Sequence, residues 1–167
     1  ILEILLEVTE KGQYSHLVIR SVLDKYQYLD KRERAFLTRV AEGTIQRQIE
    51  LDYILDQFSK VKVRKMKPVI RAILRMGVYQ LKYMDSVPDS AVCNEAVKLA
   101  QRKGFYNLKP FVNGVLRTIA REMDQVRFPQ KEDDLLKYLS VKYSMPEVLV
   151  TRWLEAYGEE TTEKILA

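Results

Sequence analysis

A chain of 167 residues with 47% hydrophobic and 31% charged residues is long enough for one ordinary domain and a small appendage, and this composition excludes a disordered protein. No apolar run approaches the roughly 20 residues of a membrane span, and no signal peptide precedes a cleavage site, so we expect a soluble cytoplasmic protein without a membrane partner. The single cysteine excludes an internal disulfide, which agrees with a reducing compartment.

Positive charge is concentrated in the larger part of the chain. Residues 1–129 carry 23 Lys or Arg against 15 Asp or Glu, whereas residues 130–167 carry five against eight, which gives net charges of +8 and −3. Such a basic excess favours phosphate-bearing partners, although many basic domains bind only other proteins. The sequence opens without Met on the apolar pattern ILEILLEV, so we expect a fragment of a longer protein.

Apolar residues recur at helical spacing in successive segments, and this pattern predicts an all-α fold. The first two helices are expected within residues 1–9 and 14–26. A third helix begins where Asp30 and Glu33 form a variant of the capping box. Its apolar face changes phase at residues 48–52, which predicts a break or a sharp bend between two helices.

The segment Pro68–Met84, PVIRAILRMGVYQLKYM, is predicted to be the central helix. Apolar residues cover nearly its whole circumference, so other helices must surround it. Pro68 suits the first helical position, and Gly77 predicts that a neighbouring helix crosses closely there. The charged residues lie on one narrow stripe and are Arg71, Arg75 and Lys82.

The segment Ser59–Lys67, SKVKVRKMK, places a cluster of positive charge directly before the central helix. Its basic residues are Lys60, Lys62, Arg64, Lys65 and Lys67. Two interpretations fit the pattern. It is either a solvated loop with its apolar residues turned inward or, together with Arg71 and Arg75, a patch that contacts phosphate groups. Each phosphate neutralised by such a patch should steepen the salt dependence of binding by about one unit.

Two further helices are predicted over Pro88–Lys103, which Gly104 ends as a left-handed cap, and over Leu108–Met123. Cys93 lies among the apolar positions of the first of these helices, so we interpret it as a core thiol and not as a nucleophile. The second carries a polar stripe, either solvated surface or a second phosphate contact, formed by Asn113, Arg117 and Arg121.

The last part of the chain follows a linker at residues 124–130 and turns acidic. It contains helical patterns over residues 133–143 and from Ser144 onward, with Pro146 near the start of the second pattern. Gly158 is expected to end that helix before a short third pattern. These segments predict a small helical appendage to the main bundle.

The residue sets needed for catalysis are missing from this sequence. There is no Gly-rich nucleotide loop, and no serine has a plausible base nearby in sequence. His16 is the only histidine, and no Cys or carboxylate lies at ligand spacing from it. We therefore expect no catalytic residue, no metal site and no cofactor in this chain.

Three runs together resemble the NusB family, namely RAFLTRVAEGTIQRQIELDYIL, VIRAILRMGVYQLKYMDSVPDSAVCNEAVKLAQRKG and FVNGVLRTIAR. The following run, YLSVKYSMPEVLVTRWLEAYGEE, is similar to the helical linker of the RsmB/Sun/Fmu family of bacterial 16S ribosomal RNA cytosine-5 methyltransferases, where it joins a NusB-like domain to the catalytic domain. The resemblance implies a NusB-like RNA-binding bundle over residues 1–123 and a helical linker subdomain over residues 124–167.

The resemblance also implies a function. The parent protein would transfer a methyl group from S-adenosylmethionine to a cytosine C5 of small-subunit ribosomal RNA, and this chain would bind and position that RNA beside its own catalytic domain. The candidate RNA contacts are Lys60, Lys62, Arg64, Lys65, Lys67, Arg71, Arg75, Lys82, Asn113, Arg117 and Arg121. The alternatives are a NusB-type transcription antitermination factor and a helical module that binds a protein partner or forms a homodimer.

Overall fold

The computed structural model describes residues 1–167 and contains helices and turns but no strand, so the predicted all-α fold is confirmed. The helices are α1 (Leu2–Thr9), α2 (Ser15–Lys25), α3 (Lys31–Gln46), α4 (Gln48–Phe58), α5 (Pro68–Tyr83), α6 (Asp89–Arg102), α7 (Lys109–Glu122), α8 (Leu135–Tyr143) and α9 (Glu147–Leu166). Short 3₁₀ turns cover Val63–Lys65, Tyr106–Leu108 and Met123–Gln125. None of the helices combines the length and the apolar character that crossing a membrane requires.

Helix α5 is the centre of the bundle, as its apolar circumference predicts. Pro68 occupies its first turn, and every residue from Ala72 to Tyr79 is buried. The helix packs against α1, α3, α4, α6 and α7, which together enclose one cluster of 23 buried apolar residues. Burial of each large aliphatic side chain in such a cluster contributes roughly 1.5–3 kcal/mol to folding. The surrounding helices are therefore held mainly by their contacts with α5.

A smaller apolar cluster joins α1, α2 and α3 on one side of the bundle. Its buried members are Ile4, Ile19, Val22, Leu37 and Ala41. Helix α1 contributes to both clusters, because Leu2 and Leu5 lie in the core around α5. The first three helices are therefore attached to the central helix through α1 and α3.

Local signals in the sequence mark the ends of several helices correctly. Asp30 Oδ1 accepts a hydrogen bond from the Glu33 backbone N–H at 2.8 Å, and Glu33 Oε2 accepts one from the Asp30 N–H at 3.0 Å, which completes the predicted capping box. Gly104 has the predicted left-handed backbone, with a φ of +85°. The change of apolar phase corresponds to a break at Arg47, between α3 and α4.

Two glycines allow helices to cross closely at α5. A Cβ atom on Gly77 would lie 2.9 Å from a δ-carbon of Leu116, so the predicted close crossing is made by α7. A Cβ atom on Gly43 of α3 would lie 2.1 Å from Cζ of Tyr79, whose ring passes directly over the glycine. The second crossing has no sequence signal comparable to the isolated glycine within the apolar central helix.

The last two helices, α8 and α9, pack against each other, and α8 also packs against α4. The buried apolar residues of these two helices are Leu139, Val141 and Val150, and Val141 lines a small pocket together with Glu50 of α4. Gly158, with a φ of +79°, interrupts the helical backbone of α9 at the position where the sequence predicts an end. The division of the chain at residue 123 stays a prediction, since the tail contacts the bundle directly.

Replacing Gly43 by Ala is expected to destabilise the protein by about 1–3 kcal/mol, because the added methyl group would overlap the buried Tyr79 ring. Gly114 is the matched control. It also lies inside a helix, but a Cβ atom there would meet nothing within 4 Å, so Gly114→Ala should stabilise by up to about 1 kcal/mol. Urea unfolding of the two variants measures both changes, and equal midpoints would contradict the close crossing.

Candidate nucleic-acid interface

The loop between α4 and α5 presents five exposed basic side chains that form no ion pair with a carboxylate. They are Lys60, Lys62, Arg64, Lys65 and Lys67. Their charge is therefore not neutralised by a neighbouring side chain. The sequence correctly predicts a basic loop here, and whether it contacts RNA stays a prediction.

Buried side chains and hydrogen bonds to its backbone hold this loop in place. Val63 and Met66 are buried, with exposed fractions of 2% and 6%, whereas Val61 is exposed. Asp56 of α4 accepts a hydrogen bond from the Val63 N–H at 2.9 Å. Ser59 Oγ accepts a hydrogen bond from the Val61 N–H at 3.1 Å. The basic side chains therefore project from an anchored loop, which lowers the entropy lost when they bind a ligand.

The loop and the start of α5 together line a cleft of about 480 Å³. Its charged lining residues are Lys62, Arg64, Arg71, Arg75, Asp52 and Asp56. Four cationic groups thus face two carboxylates, so the cleft keeps a positive balance. The structure thus brings two residues of the basic loop, Lys62 and Arg64, together with Arg71 and Arg75 of the central helix, whereas Lys60, Lys65 and Lys67 lie outside the cleft.

Arg75 lies at the inner end of this group and is already paired. Its Nε and Nη2 donate to the two carboxylate oxygens of Asp52 at 2.7 and 2.9 Å, and only 8% of its side chain is exposed. A bidentate pair of this geometry uses the guanidinium edge that would otherwise bind a phosphate. Arg75 therefore connects α5 to α4, and a contact between Arg75 and RNA stays a prediction.

Arg71 forms a similar pair closer to the surface. Its Nε and Nη2 donate to the carboxylate of Glu10 at 2.7 and 2.5 Å, which ties the segment after α1 to α5. These hydrogen bonds hold the pKa of Glu10 below its ordinary value. About a fifth of each side chain remains exposed, so a phosphate could approach Arg71 beside Glu10.

Lys82, the third residue of the stripe, belongs to a different cluster. It pairs with Glu50, which is 3% exposed and also accepts a hydrogen bond from the Tyr83 hydroxyl at 2.6 Å. Burial and this hydrogen bond raise the pKa of Tyr83, so its hydroxyl stays neutral. The Lys82 Nζ also lies 4.6 Å from the ring centre of Phe128. Lys82 therefore faces the linker and not the basic cleft.

The polar stripe on α7 forms a separate surface. Arg117 donates to Asn113 Oδ1 at 2.8 Å and to Asn94 Oδ1 of α6 at 3.0 Å. No carboxylate neutralises Arg117, and Arg121 is exposed without an ion pair. None of the three predicted stripe residues lines the basic cleft.

Cys93 is buried in the core, as predicted, with an exposed fraction of 1%. Burial raises the pKa of its thiol, which leaves the nucleophilic thiolate poorly populated. No group of three or more His, Cys, Asp or Glu side chains is arranged to hold a metal ion. The exposed basic residues are therefore the chemical feature that stands out on this chain.

Replacing Arg75 by Gln is expected to destabilise the protein by about 3 kcal/mol, because the partly buried carboxylate of Asp52 loses its partner. Arg64→Gln removes the same charge from an exposed side chain without an ion pair, and should change stability by less than about 0.5 kcal/mol. Urea unfolding at pH 7 measures both. Equal stabilities would contradict the structural role of Arg75.

The pair between Glu10 and Arg71 should make stability depend on pH. Since the pKa of Glu10 is lowered on folding, the pair contributes fully above about pH 5 and its contribution is lost as the pH falls below about 4. Glu10→Gln should therefore cost about 1 kcal/mol at pH 7 and little at pH 3. The control Glu42→Gln changes an exposed residue without an ion pair, and unfolding curves should show no such pH-dependent difference.

Comparisons with known proteins agree with this fold and extend over the tail. The chain is 40% identical over 164 residues to the "Probable ribosomal RNA small subunit methyltransferase B" of Bacillus subtilis (strain 168), a match that covers 98% of this chain. The chain spans 36% of that relative's length. It is also 32% identical over 120 residues to the "Transcription antitermination protein NusB" of Kineococcus radiotolerans, covering 71% of this chain and 86% of the relative.

A solved structure shows the same architecture. The crystal structure of PH0851 superposes with a TM-score of 0.75 at 20% sequence identity, over 99% of this chain and 36% of that one. This likeness concerns the fold alone. The sequence match to the NusB family covers residues 1–121, which include all of the bundle from α1 to the last turn of α7. The chain therefore belongs to the NusB family.

Proposed function

We propose that this chain is the non-catalytic RNA-binding domain of a small-subunit ribosomal RNA methyltransferase and that it positions the RNA for a catalytic domain of the same polypeptide. The observation that carries the proposal is the anchored loop of five exposed Lys and Arg residues, Lys60 to Lys67, beside a positively charged cleft. A surface of this kind favours binding of phosphate groups.

The extent of the matches favours a methyltransferase over an antitermination factor. The methyltransferase relative matches 164 of the 167 residues and so includes α8 and α9. The antitermination protein matches 120 residues, although the match covers 86% of its own length. The match to the methyltransferase therefore includes the tail. The match to the antitermination protein leaves 29% of this chain without a counterpart, although it uses most of that protein's length.

The proposed reaction belongs to the whole protein. It is the transfer of a methyl group from S-adenosylmethionine to the C5 of a cytosine in 16S ribosomal RNA. This chain contributes no catalytic group to that step in the proposal. Its partners are the ribosomal RNA and the catalytic domain, and binding of another protein or of a second copy is a subordinate alternative.

The chemistry of recognition follows from the type of side chain available. Lys and Arg contacts to phosphates fix the position of an RNA without identifying its bases, and the deep major groove of an A-form helix hides the base edges. Selectivity for one RNA element would then come from its shape or from the catalytic domain. Within this surface the loop residues supply the main phosphate contacts, because the charges of Arg71 and Arg75 are balanced by Glu10 and Asp52.

The proposal is tested by measuring binding to a small-subunit ribosomal RNA hairpin and to an unrelated hairpin at 50 and 200 mM salt. A triple variant, Lys62→Gln, Arg64→Gln and Lys65→Gln, should weaken binding at least about tenfold at low salt. It should also lower the slope of log K against log salt by about two to three.

The matched control is Arg20→Gln, Lys31→Gln and Arg32→Gln, which removes three exposed charges from α2 and α3. Its affinity and salt slope should stay close to those of the unmodified chain. Equal loss of affinity in both triple variants would show that binding depends on net charge alone. No binding to either RNA by the unmodified chain would overturn the proposed function.

A further inference from the structure

The chain segment from Val126 to Met145, here called the strap, runs beside α4 and is attached to it by three separate sets of contacts. It comprises the linker before α8, α8 itself and the turn that follows. The contacts lie near the C-terminal end, the middle and the N-terminal end of α4. The strap is thus held along the whole helix.

Near the C-terminal end of α4, one glutamine side chain holds the linker backbone. Gln57 Nε2 donates to the Arg127 carbonyl at 3.0 Å, and the Arg127 N–H donates to Gln57 Oε1 at 3.1 Å. The two bonds satisfy both backbone groups of a residue that belongs to no helix. The Gln57 side-chain amide therefore pairs with the Arg127 backbone N–H and C=O in the way that a neighbouring β-strand would.

In the middle of α4, the ring of Phe128 covers a cluster of charges. It stacks on Tyr53 with 6.3 Å between ring centres, and Lys82 lies against it. Lys82 in turn pairs with the buried Glu50. Since an ion pair is stronger where water is excluded, the linker stabilises this cluster while the cluster holds the linker.

At the N-terminal end of α4, the strap supplies a cap that the helix does not provide for itself. The residue before the helix, Arg47, makes no side-chain capping bond. Instead, Ser144 Oγ accepts a hydrogen bond from the Ile49 N–H at 3.1 Å, and Arg47 Nη1 donates to the Lys142 carbonyl at 3.3 Å. The turn after α8 therefore binds a free N–H at the start of α4, and the residue before α4 binds a free carbonyl at the end of α8.

Ser144 occupies an unusual backbone conformation for this role. Its φ of +51° makes it the one non-glycine residue of the chain with a positive φ. Glycine would adopt this conformation without steric cost. A serine here keeps the hydroxyl group that binds Ile49, at the expense of backbone strain.

We propose that the strap is an integral part of the bundle and that its contacts with α4 hold α8 and α9 in a fixed orientation relative to the basic loop. Helix α4 makes the connection, because its N-terminal end is capped by Ser144 and its Asp56 binds the backbone of the loop at Val63. Residues 1–167 then unfold as one cooperative unit, and Lys82 acts in holding the strap. This proposal does not depend on whether the chain binds RNA.

Hydrogen–deuterium exchange of the full chain tests the cap. Ser144→Gly removes the hydroxyl group while keeping a residue that accepts the backbone conformation. The amides of the first turn of α4, including Ile49, should exchange about fivefold faster, and those of α8 should also exchange faster. The matched control Ser86→Gly, in an exposed turn, should leave both regions unchanged. Unchanged exchange at Ile49 in Ser144→Gly would overturn the capping role.

Removal of the ring contact tests the cooperative unit. Phe128→Ala should open residues 124–134 to proteolysis and increase exchange in α4 as well as in α8 and α9. Phe36→Ala is the control, because this residue of α3 has a similar exposed fraction, 39% against 36%, and does not contact the strap. Faster exchange confined to residues 124–167, or separate thermal transitions for the tail and the bundle in the unmodified chain, would overturn the proposal.

Discussion

The burial of α5 on nearly all sides is the constraint on which the rest of the structure depends. Its charged residues are carried into or near the core together with its apolar ones, and each of them meets a carboxylate. Arg71 pairs with Glu10, Arg75 with Asp52, and Lys82 with Glu50. Leaving the buried Arg75 pair incomplete would cost about 3 kcal/mol, whereas the more exposed Arg71 pair contributes about 1 kcal/mol. The central helix therefore determines where acidic residues must lie at the end of α1 and in α4.

This pairing separates the basic residues by what they do in the folded chain. The residues of α5 join helices, whereas Lys60, Lys62, Arg64, Lys65 and Lys67 keep charges that no carboxylate balances. A count of Lys and Arg in the sequence does not distinguish the paired residues from the unpaired ones. Because a phosphate contact requires an accessible and unpaired cation, the net charge of the chain overstates the surface on which RNA would bind.

Most of the helices could be predicted from the sequence because their signals are local. Apolar spacing, the capping box at Asp30, Pro68 at the start of α5 and Gly104 after α6 each act within a few residues. The ion pairs could not be predicted in the same way. Arg71 lies 61 residues from Glu10 and Lys82 lies 32 from Glu50, so the partner depends on how the helices pack. The narrow stripe of charges on α5 shows the same limit, since periodicity shows which residues share a face but not what covers that face.

Contacts between residues far apart in the chain also explain how a tail with the sequence of a linker is bound to the bundle. An acidic composition and a proline-containing segment are typical of a connection between domains. The contacts that hold it include one amide, one ring and one hydroxyl group, at Gln57, Phe128 and Ser144. Ser144 reaches a helix 95 residues earlier in the chain, where the cap expected next to the helix start is missing. In this fold the tail supplies a hydrogen bond to the start of α4 that Arg47 does not make, so the stability of α4 and the position of α8 and α9 depend on each other.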